Sequence, residues 1–320
     1  MTITTNTFTR FDAIGVREDL ANFIANVSPT ETPFLSNAKV GKASQTFFEW
    51  QKDSLASAVT NNQHLEGDVV GTHTAVVATV RNGSYTEIAW KDFILSNTVQ
   101  TVESAGGANS KEYIAAKLGK EIKRDKETSL LSNQGAAAGS TTVARKTAGL
   151  PAYLRTNYNK ASDATIPDAY TTAATDTWDD GTQRAFTEVI TKDVLLQCYN
   201  SGADISTIMV GPFNKQVFSG FSGVVELMRQ SGGGQATIIG AADTYVSDFG
   251  RLTVVPNRFQ PARTAFFIDW SMVQVNYLRP YKMQELAKTG DHMRFLMTVE
   301  YGLLVRTDAG LGIATDLTTS

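Results

Sequence analysis

The chain has 320 residues, of which 19% are charged, and its formal net charge is -3. Proteins that bind a phosphate backbone concentrate Lys and Arg on one face, but here acidic residues interrupt even the densest basic stretch, residues 120–126. The composition therefore excludes a dedicated polyanion-binding surface. The length allows two modest domains or one domain with large excursions.

The N-terminus and the cysteine content indicate a protein that is made, and first used, in the cytoplasm. Residues 1–7 lack the basic start and apolar core of a secretion signal, and no apolar run approaches the roughly 20 residues that a membrane helix needs. The single cysteine, Cys198, lies in an apolar helical pattern, where a thiol behaves as a small hydrophobic residue. We predict a structural role for Cys198 and no contact with a membrane.

The first 45 residues are predicted to form an N-terminal arm. A short helix begins near Gly15, and Ser28-Pro29 ends it because proline cannot continue the hydrogen-bond ladder. The following peptide is predicted to be extended, with Phe34 as an apolar anchor. We expect this arm to find little to pack against within its own chain.

Two extended runs dominate residues 46–95. Bulky apolar residues alternate along 46–50 and again along 85–95, which is the period-2 signature of strands. At about 3.3 Å per residue, legs of roughly twenty residues reach about 65 Å, well past a compact body with a radius of gyration of about 17 Å. Exposed apolar surface on that scale usually marks a protein interface, so we predict that other subunits cover this second arm.

The tip of the second arm is predicted at the polar segment 57–74. On the returning leg, Asn82-Gly83 fits a hairpin turn and equally fits a bulge inside one long strand. His64, Glu66 and Asp68 could ligate a metal from an extended strand, but a chain with three histidines is a poor source of a catalytic three-ligand site. We predict no metal and no cofactor.

The clearest helix follows from Asn109, which forms a capping-box pattern with Glu112, and runs to Ser132. Ile114, Leu118 and Ile122 make an apolar stripe along it. Such a helix is roughly 35 Å long and can brace a wide, flat body.

The second half is predicted to be a mixture of helices and strands. Residues 161–182 are polar and are predicted to lie at the surface, and 308–320 are predicted to be a polar tail. Between these segments the sequence predicts a helix carrying Cys198, a strand at 207–210, a helix near 218, strands near 245, 252–255, 265–268 and 272–278, and a last long strand at 294–306.

No catalytic constellation emerges from the sequence. The glycine run 232–234 lacks the Lys-Ser/Thr of a phosphate-binding loop, and no Gly-x-Ser-x-Gly elbow is present. Asp269-Trp270 is predicted to be a turn residue followed by a core or interface aromatic. We therefore predict that the chain is not an enzyme and that it binds or assembles.

The order of these landmarks resembles that of tailed-bacteriophage major capsid proteins with the Hong Kong 97-type fold. Glu87 stands where that family usually has Gln, and Asn97 stands where a Gly is common. The resembling stretches are GVREDL at 15–20, SPTETPF at 28–34, FEWQ at 48–51, Arg81, YTEI at 85–88, KEIKRDKE at 120–127, DFGRL at 248–252, PNR at 256–258, LRP at 278–280, LAKTGD at 286–291 and Glu300.

The resemblance implies an α+β subunit of five parts. These are an N-terminal arm (1–45), an extended β-hairpin loop (46–100), a peripheral domain with a long spine helix (101–185), an axial domain (186–290), and a return strand of the peripheral domain with a C-terminal tail (291–320). It also implies that copies assemble as hexamers and pentamers into the icosahedral capsid shell that encloses phage double-stranded DNA, so that the protein resides in the virion capsid after assembly in the host cytoplasm.

The expected partners are copies of the chain itself, a portal protein, and DNA in nonspecific contact, while the presence of a decoration protein stays open. Because the chain starts at Met1 with the arm directly behind it, we also expect a separate scaffolding protein. Large aromatics dominate interface energetics, although Trp90 could instead pack inside its own subunit. The predicted inter-subunit contact residues are Phe11, Arg17, Phe34, Trp50, Glu66, Arg81, Tyr85 and Trp90.

Two alternative functions stay open from the sequence. A protein nanocompartment shell shares the implied fold and would enclose an enzyme in place of a genome. A non-enzymatic, β-rich adhesion module would explain the aromatic strands and polar loops, but it would normally carry a secretion signal.

Overall fold

The computed structural model describes residues 28–67, 69, 75–102, 110–170, 172–221 and 244–320. Within these ranges the chain forms a four-stranded sheet, a six-stranded sheet and a two-stranded ribbon. The predicted helix near Gly15 and the glycine run 232–234 lie outside the described residues. Among the helices within them, none is long and apolar enough to cross a membrane.

Helices and strands occur along the whole described chain, which confirms the predicted α+β class. Up to residue 159 the elements are α1 (Pro33–Asn37), β1 (Lys39–Lys42), β2 (Phe47–Lys52), β3 (Val80–Tyr85), β4 (Glu87–Ser96), α2 (Asn97–Thr101), α3 (Lys111–Leu131), α4 (Leu150–Tyr153) and β5 (Asn157–Asn159). From there they are α5 (Glu188–Asn200), β6 (Thr207–Val210), α6 (Pro212–Ser219), β7 (Thr244–Ser247), β8 (Gly250–Pro256), β9 (Ala265–Ile268), β10 (Val273–Leu286), β11 (His292–Val305), a 3-10 turn (Asp308–Gly310) and β12 (Leu311–Ala314).

The four-stranded sheet has the order β1-β10-β11-β4. Strands β10 and β11 pair antiparallel, so the predicted boundary at residue 290 falls inside one sheet. β4 pairs with β11 along its whole length. The returning run beyond residue 86 therefore belongs to this sheet and not to the projecting arm, which the sequence had extended to residue 100. The alternation was read correctly, but β11, the strand that pairs with this run, lies more than 200 residues away in the sequence.

Helix α3 covers one face of this sheet. Its predicted apolar stripe is confirmed at Ile122, which is fully buried. Ser110 is the N-cap, with its Oγ accepting a backbone N–H of the first turn; Asn109, the predicted cap, lies outside the described residues. Lys91 of β4 forms an ion pair with Asp125 of the helix (3.0 Å), which fixes the helix across the strand.

The six-stranded sheet has the order β5-β12-β9-β6-β8-β7, and β6 and β9 begin and end as predicted. The C-terminus is not a polar tail, because β12 lies inside this sheet with Leu311 and Ile313 buried. Asp308 and Asp316, which flank β12 and made the segment look solvated, are themselves buried. A four-residue strand between two aspartates is too short to show a period.

Two further segments that the sequence placed outside the core belong to it. The peptide predicted to be extended forms α1, and its Phe34 contacts Trp270 (ring centroids 5.9 Å). Trp178, within the predicted surface excursion, is buried and exchanges two hydrogen bonds with Asn133 (2.7 and 3.0 Å). Trp270 follows the turn at Asp269, as predicted.

Candidate assembly surfaces

The projecting arm begins as the ribbon of β2 and β3. Its register runs without interruption over six residue pairs. Asn82-Gly83, for which a hairpin turn and a bulge were both open, is therefore a regular part of β3. Close packing explains the glycine, since a Cβ atom at Gly83 would lie 2.5 Å from the ring of Phe47.

Beyond the ribbon, every described residue of the arm is exposed in the single chain. The arm is defined here as residues 53–67 and 75–79. Its apolar side chains are among the most exposed of the molecule: Leu55 is 99% exposed, Leu65 82% and Val76 97%. Apolar surface of this kind usually marks a protein interface.

The root of the arm is fastened to its own subunit. Trp50 packs on Tyr153 (ring centroids 6.3 Å), and its indole N–H donates to the carbonyl of Arg306 (3.3 Å). Lys52 Nζ donates to Asp308 Oδ1 at 2.5 Å. These contacts hold the start of the ribbon against the body, so the arm leaves the subunit in a defined direction.

Lys52→Ala is expected to destabilise the subunit by about 1–3 kcal/mol, the usual cost of leaving a buried polar group without its partner. Burial raises the pKa of the Asp308 carboxyl, but hydrogen bonds from Lys52 and Thr156 outweigh it and hold the pKa below its ordinary value. The ion pair therefore contributes fully above that ordinary value and is lost as the pH falls below it. Urea unfolding of dissociated subunits at pH 7 and pH 3 measures the loss, and Lys39→Ala on exposed β1 is the control.

Glu300 joins four segments where the arm meets the body. Its carboxylate accepts from Thr86 Oγ1 (2.8 Å), the single residue between β3 and β4, and it pairs with Arg145 (2.6 Å) and Arg279 (2.7 Å). Glu300 is 3% exposed. A buried carboxylate that binds the hinge residue and two guanidinium groups fixes the angle between arm and sheet.

Among the described residues, the face of the four-stranded sheet opposite α3 is open along β4, and the 138–145 loop reaches it at the Ile88 end. Trp90 of β4 is 58% exposed, and Ile88 and Ile94 are nearly as open. Directly paired residues of an antiparallel ladder share a face, which places Thr298 and Lys282 beside Trp90. The outer sheet face is defined as Ile88, Trp90, Asp92, Ile94, Lys282, Arg294, Leu296 and Thr298.

Two adjacent charged residues of α3 are buried on different sides of the helix. Glu127 accepts the backbone N–H groups of Phe34 (2.8 Å) and Leu35 (2.9 Å) and the amide of Asn257 (2.7 Å). Burial raises the pKa of Glu127 despite these hydrogen bonds. The helix thereby holds α1 and the end of β8 together.

Lys126 points into a cage of three tyrosines. Its Nζ donates to Tyr277 OH (2.5 Å) and lies 4.3, 4.9 and 5.0 Å from the ring centroids of Tyr277, Tyr281 and Tyr301. Burial, together with the nearby charge of Lys123, lowers the pKa of Lys126 to about 7. The ammonium is held by aromatic faces and a hydroxyl.

The six-stranded sheet carries an apolar surface of its own. Tyr199 of α5 and Phe249 of the β7–β8 turn stack at 4.6 Å, and both are substantially exposed. Cys198, the residue before Tyr199 in α5, is buried, and burial raises the pKa of its thiol to about 12. The predicted structural role of Cys198 fits a thiol that stays protonated.

The predicted contact residues fall into different environments. Phe11 and Arg17 lie outside the described residues. Phe34 is 0% exposed, so its prediction as an inter-subunit contact is wrong: a side chain enclosed by its own subunit has no surface left for a neighbour. The described contacts of Trp50 are with its own subunit and do not support the predicted contact with a neighbour. Glu66 is exposed on the arm.

The remaining three predicted residues lie on β3 and β4. Arg81 is exposed and pairs with Glu49 across the ribbon (3.0 Å), and Tyr85 contacts Phe47 (4.7 Å). Trp90 does not pack inside its own subunit, which removes that alternative. Its contact with a neighbour stays a prediction.

The sequence missed the buried polar residues that shape the subunit. Lys126 lies four residues after Ile122, on the apolar stripe of α3, and Glu300 lies between buried Val299 and Tyr301. For Lys126, a charged residue at a position that the helical period assigns to the core was the available signal. Glu300 falls on the strand face opposite Val299 and Tyr301, so the period gave no signal for its burial. Asp308 and Asp316 gave no comparable signal. In the described part of the chain, no group of three or more His, Cys, Asp or Glu could hold a metal.

Comparison with known proteins identifies the family. The model of the SU10 major capsid protein family matches residues 3–318. The chain belongs to this family. This capsid protein is 28% identical over 346 residues to the major capsid protein of Escherichia phage Phieco32, with 96% of each chain covered. It therefore forms the phage capsid shell and resides in the virion capsid.

Solved structures show the fold of the capsid protein. The capsid subunit of cyanophage A-1(L) is 12% identical with a TM-score of 0.61, covering 95% of this chain and 98% of the other. The SrpI encapsulin of Synechococcus elongatus is 9% identical with a TM-score of 0.55, covering 92% and 94%. The predicted Hong Kong 97-type fold is confirmed.

Proposed function

We propose that this major capsid protein assembles as hexamers and pentamers into an icosahedral shell that encloses double-stranded DNA. One observation carries the proposal: a single subunit exposes both an apolar arm and an apolar sheet face, and neither covers the other. In a closed shell, rotational symmetry gives every arm an equivalent acceptor and leaves none unused. The role is structural and not catalytic.

The two sheets supply the two domains of the proposed subunit. The four-stranded sheet with α3 forms the peripheral domain, and the six-stranded sheet with α5 and α6 forms the axial domain around the centre of each capsomer. The exposed Tyr199 and Phe249 pair supports this assignment, because stacked aromatics on a domain surface suit a contact between neighbours.

The proposed partners follow from the same shell. A separate scaffolding protein sets the shell size during assembly in the host cytoplasm, and a portal protein occupies one vertex. The net charge of -3 supports only light, nonspecific contact with DNA. Shells of normal size from this protein expressed alone would remove the scaffolding protein from the proposal.

A nanocompartment shell is the second candidate, because an encapsulin shares the fold. The relation to a phage capsid protein over 96% of both chains favours the capsid. Particles from infected cells that contain an enzyme in place of a genome would reverse this preference.

Negative-stain microscopy of the purified protein tests the proposal. The full chain is expected to form capsomers or closed particles. A variant in which residues 55–78 are replaced by a short Gly/Ser linker keeps the Lys52–Asp308 and Glu300 contacts and is expected to fold without forming shells. A monodisperse monomer from the full chain, with the scaffolding protein present, would contradict the proposal.

A further inference from the structure

Strand β10 is bulged where it passes between α3 and the root of the arm. Its three residue pairs with β11 along this stretch are Tyr277–Tyr301, Arg279–Glu300 and Lys282–Thr298. From the first pair to the last, β10 advances five residues, from 277 to 282, while β11 advances three, from 301 to 298. The bulged segment, residues 277–282, therefore contains two β-bulges, one on each side of Arg279, and each adds one residue to β10.

The two bulges turn side chains of this segment to opposite faces of the sheet. In a regular strand, residues 277, 279 and 281 would share one face. The extra residue on each side of Arg279 reverses this alternation twice. Tyr277 and Tyr281 therefore face Lys126 of α3, whereas Arg279 faces Glu300 on the other side. The bulged segment is held from both faces at once.

On the side of α3, the bulged segment supplies two walls of the tyrosine cage. The Nζ atom of Lys126 lies 4.3 Å from the ring centroid of Tyr277 and 4.9 Å from that of Tyr281. Lys126 and Tyr301 are each 1% exposed, but Tyr281 is 43% exposed. The fixed parts of the cage thus belong to α3 and β11, and the wall with room to move belongs to the bulged segment.

On the other side, Arg279 contacts the carboxylate that holds the arm root. Its Nε donates to Glu300 Oε2 (2.7 Å), while Oε1 of the same carboxylate accepts from the hydroxyl of Thr86 (2.8 Å). The side chain of Arg279 is 56% exposed and that of Arg145, the second guanidinium, is 27% exposed. Arg279 is therefore the member of this cluster that is displaced most easily.

Helix α3 also has direct contacts near the arm root. Ser129 Oγ lies 3.0 and 3.1 Å from the two carboxylate oxygens of Glu87, and Asp125 pairs with Lys91. Both contacts attach the helix to β4, which lies on the sheet side of Thr86. Glu300 binds Thr86 itself, so the route through the bulged segment is the one that reaches the hinge residue.

We propose that the bulged segment couples the seat of α3 to the direction of the arm: a displacement of Lys126 from its cage shifts Arg279 on Glu300 and loosens the hold on Thr86. Energetic coupling is reciprocal, so a change in the direction of the arm also alters the seat of the helix. This link lies within one subunit and does not depend on the proposed shell.

Hydrogen exchange of dissociated subunits tests the coupling. Lys126→Ala empties the cage and is expected to speed exchange of residues 80–86 by about threefold or more, while β6 and β9 keep their wild-type rates. In an Arg279→Ala background the same substitution is expected to add less than about twofold, because the link is already cut. Ser129→Ala, which breaks the direct contact with Glu87, is expected to leave residues 80–86 unchanged.

The control background is Lys288→Ala, at an exposed position just after the same strand, where Lys126→Ala should keep its full effect. Equal acceleration by Lys126→Ala with and without Arg279 would overturn the proposal, because the two sites would then act independently. Acceleration in Ser129→Ala that matches that in Lys126→Ala would overturn it in favour of the direct contact. If Lys126→Ala does not fold, Tyr281→Ala removes the exposed wall of the cage and must show the same dependence on Arg279.

Discussion

Glu300→Ala is expected to destabilise the subunit by about 3–5 kcal/mol, the range observed when one partner of a buried ion pair is removed. The substitution leaves Arg145, which is mostly buried, without its carboxylate, and it removes the acceptor of the Thr86 hydroxyl. Arg279 is more exposed and can regain water. Most of the cost therefore comes from Arg145 and Thr86, and urea unfolding of dissociated subunits measures it.

Two variants show whether burial is the cause. Glu49→Ala breaks the exposed pair with Arg81 and is expected to cost less than about 1 kcal/mol. Glu300→Gln keeps an acceptor for Thr86 and is expected to fall between the wild type and Glu300→Ala. Equal stability of the Glu49→Ala and Glu300→Ala variants would mean that Glu300 does not fasten the arm root.

Lys126→Met is expected to stabilise the subunit at pH 7 by about 1–4 kcal/mol, as replacement of buried charges by apolar side chains often does. The pKa of Lys126 is lowered to about 7 in the folded subunit and returns to its ordinary value on unfolding. The unfolded chain therefore binds one more proton between about pH 7 and pH 10, and wild-type stability rises by about 1.4 kcal/mol per pH unit there.

In Lys126→Met, the part of the pH-dependent rise in stability that comes from Lys126 is expected to be absent between pH 7 and pH 9. The other groups facing the site are Lys123 and Glu127 of α3 and the three cage tyrosines, whose pKa values are raised by burial, so the tyrosines stay neutral in the folded protein throughout this window. Lys117→Met, at an exposed position of the same helix, is the control and should keep the wild-type slope. An unchanged slope in Lys126→Met would show that Lys126 is charged in the folded subunit.

The sequence correctly predicted the helices and strands that can be recognised from their own residues, without knowledge of what packs against them. The run at 265–268 and the strand at 207–210 are apolar stretches bounded by turn residues, and α3 carries a long stripe with a capping residue. Each is defined by period and boundary within a few residues. These segments fold as their own sequences indicate.

The failures share one physical cause, which is burial by residues distant in sequence. Phe34 looked like an arm anchor because its partner Trp270 and its cap Glu127 lie in other parts of the chain. The β12 strand looked polar because Asp308 and Asp316 flank it. The carboxylate of Asp316 accepts hydrogen bonds from the backbone N–H groups of residues 161 and 181, which lie far away in the sequence. A single sequence shows the polar side chains but not the groups that satisfy them.

The outcome for the assembly surfaces lies between these cases. The sequence alone predicted that the leucines and valines of the arm are exposed. It did not predict that the arm ends and the sheet begins at Thr86, because the residues on both sides of Thr86 alternate with the same period. Only the pairing of β4 with β11 separates them. Trp90 was singled out for its size, and the structure adds the face on which it lies.

Hydrogen exchange of the arm, in shells and in dissociated subunits, tests most directly whether this subunit is completed by its neighbours. The tryptic segment 53–81 is expected to exchange rapidly in dissociated subunits, because its described residues up to 80 are exposed, and to become protected in shells. The β6 and β9 segments should be protected in both states. Equal protection of the arm before and after assembly would contradict this picture.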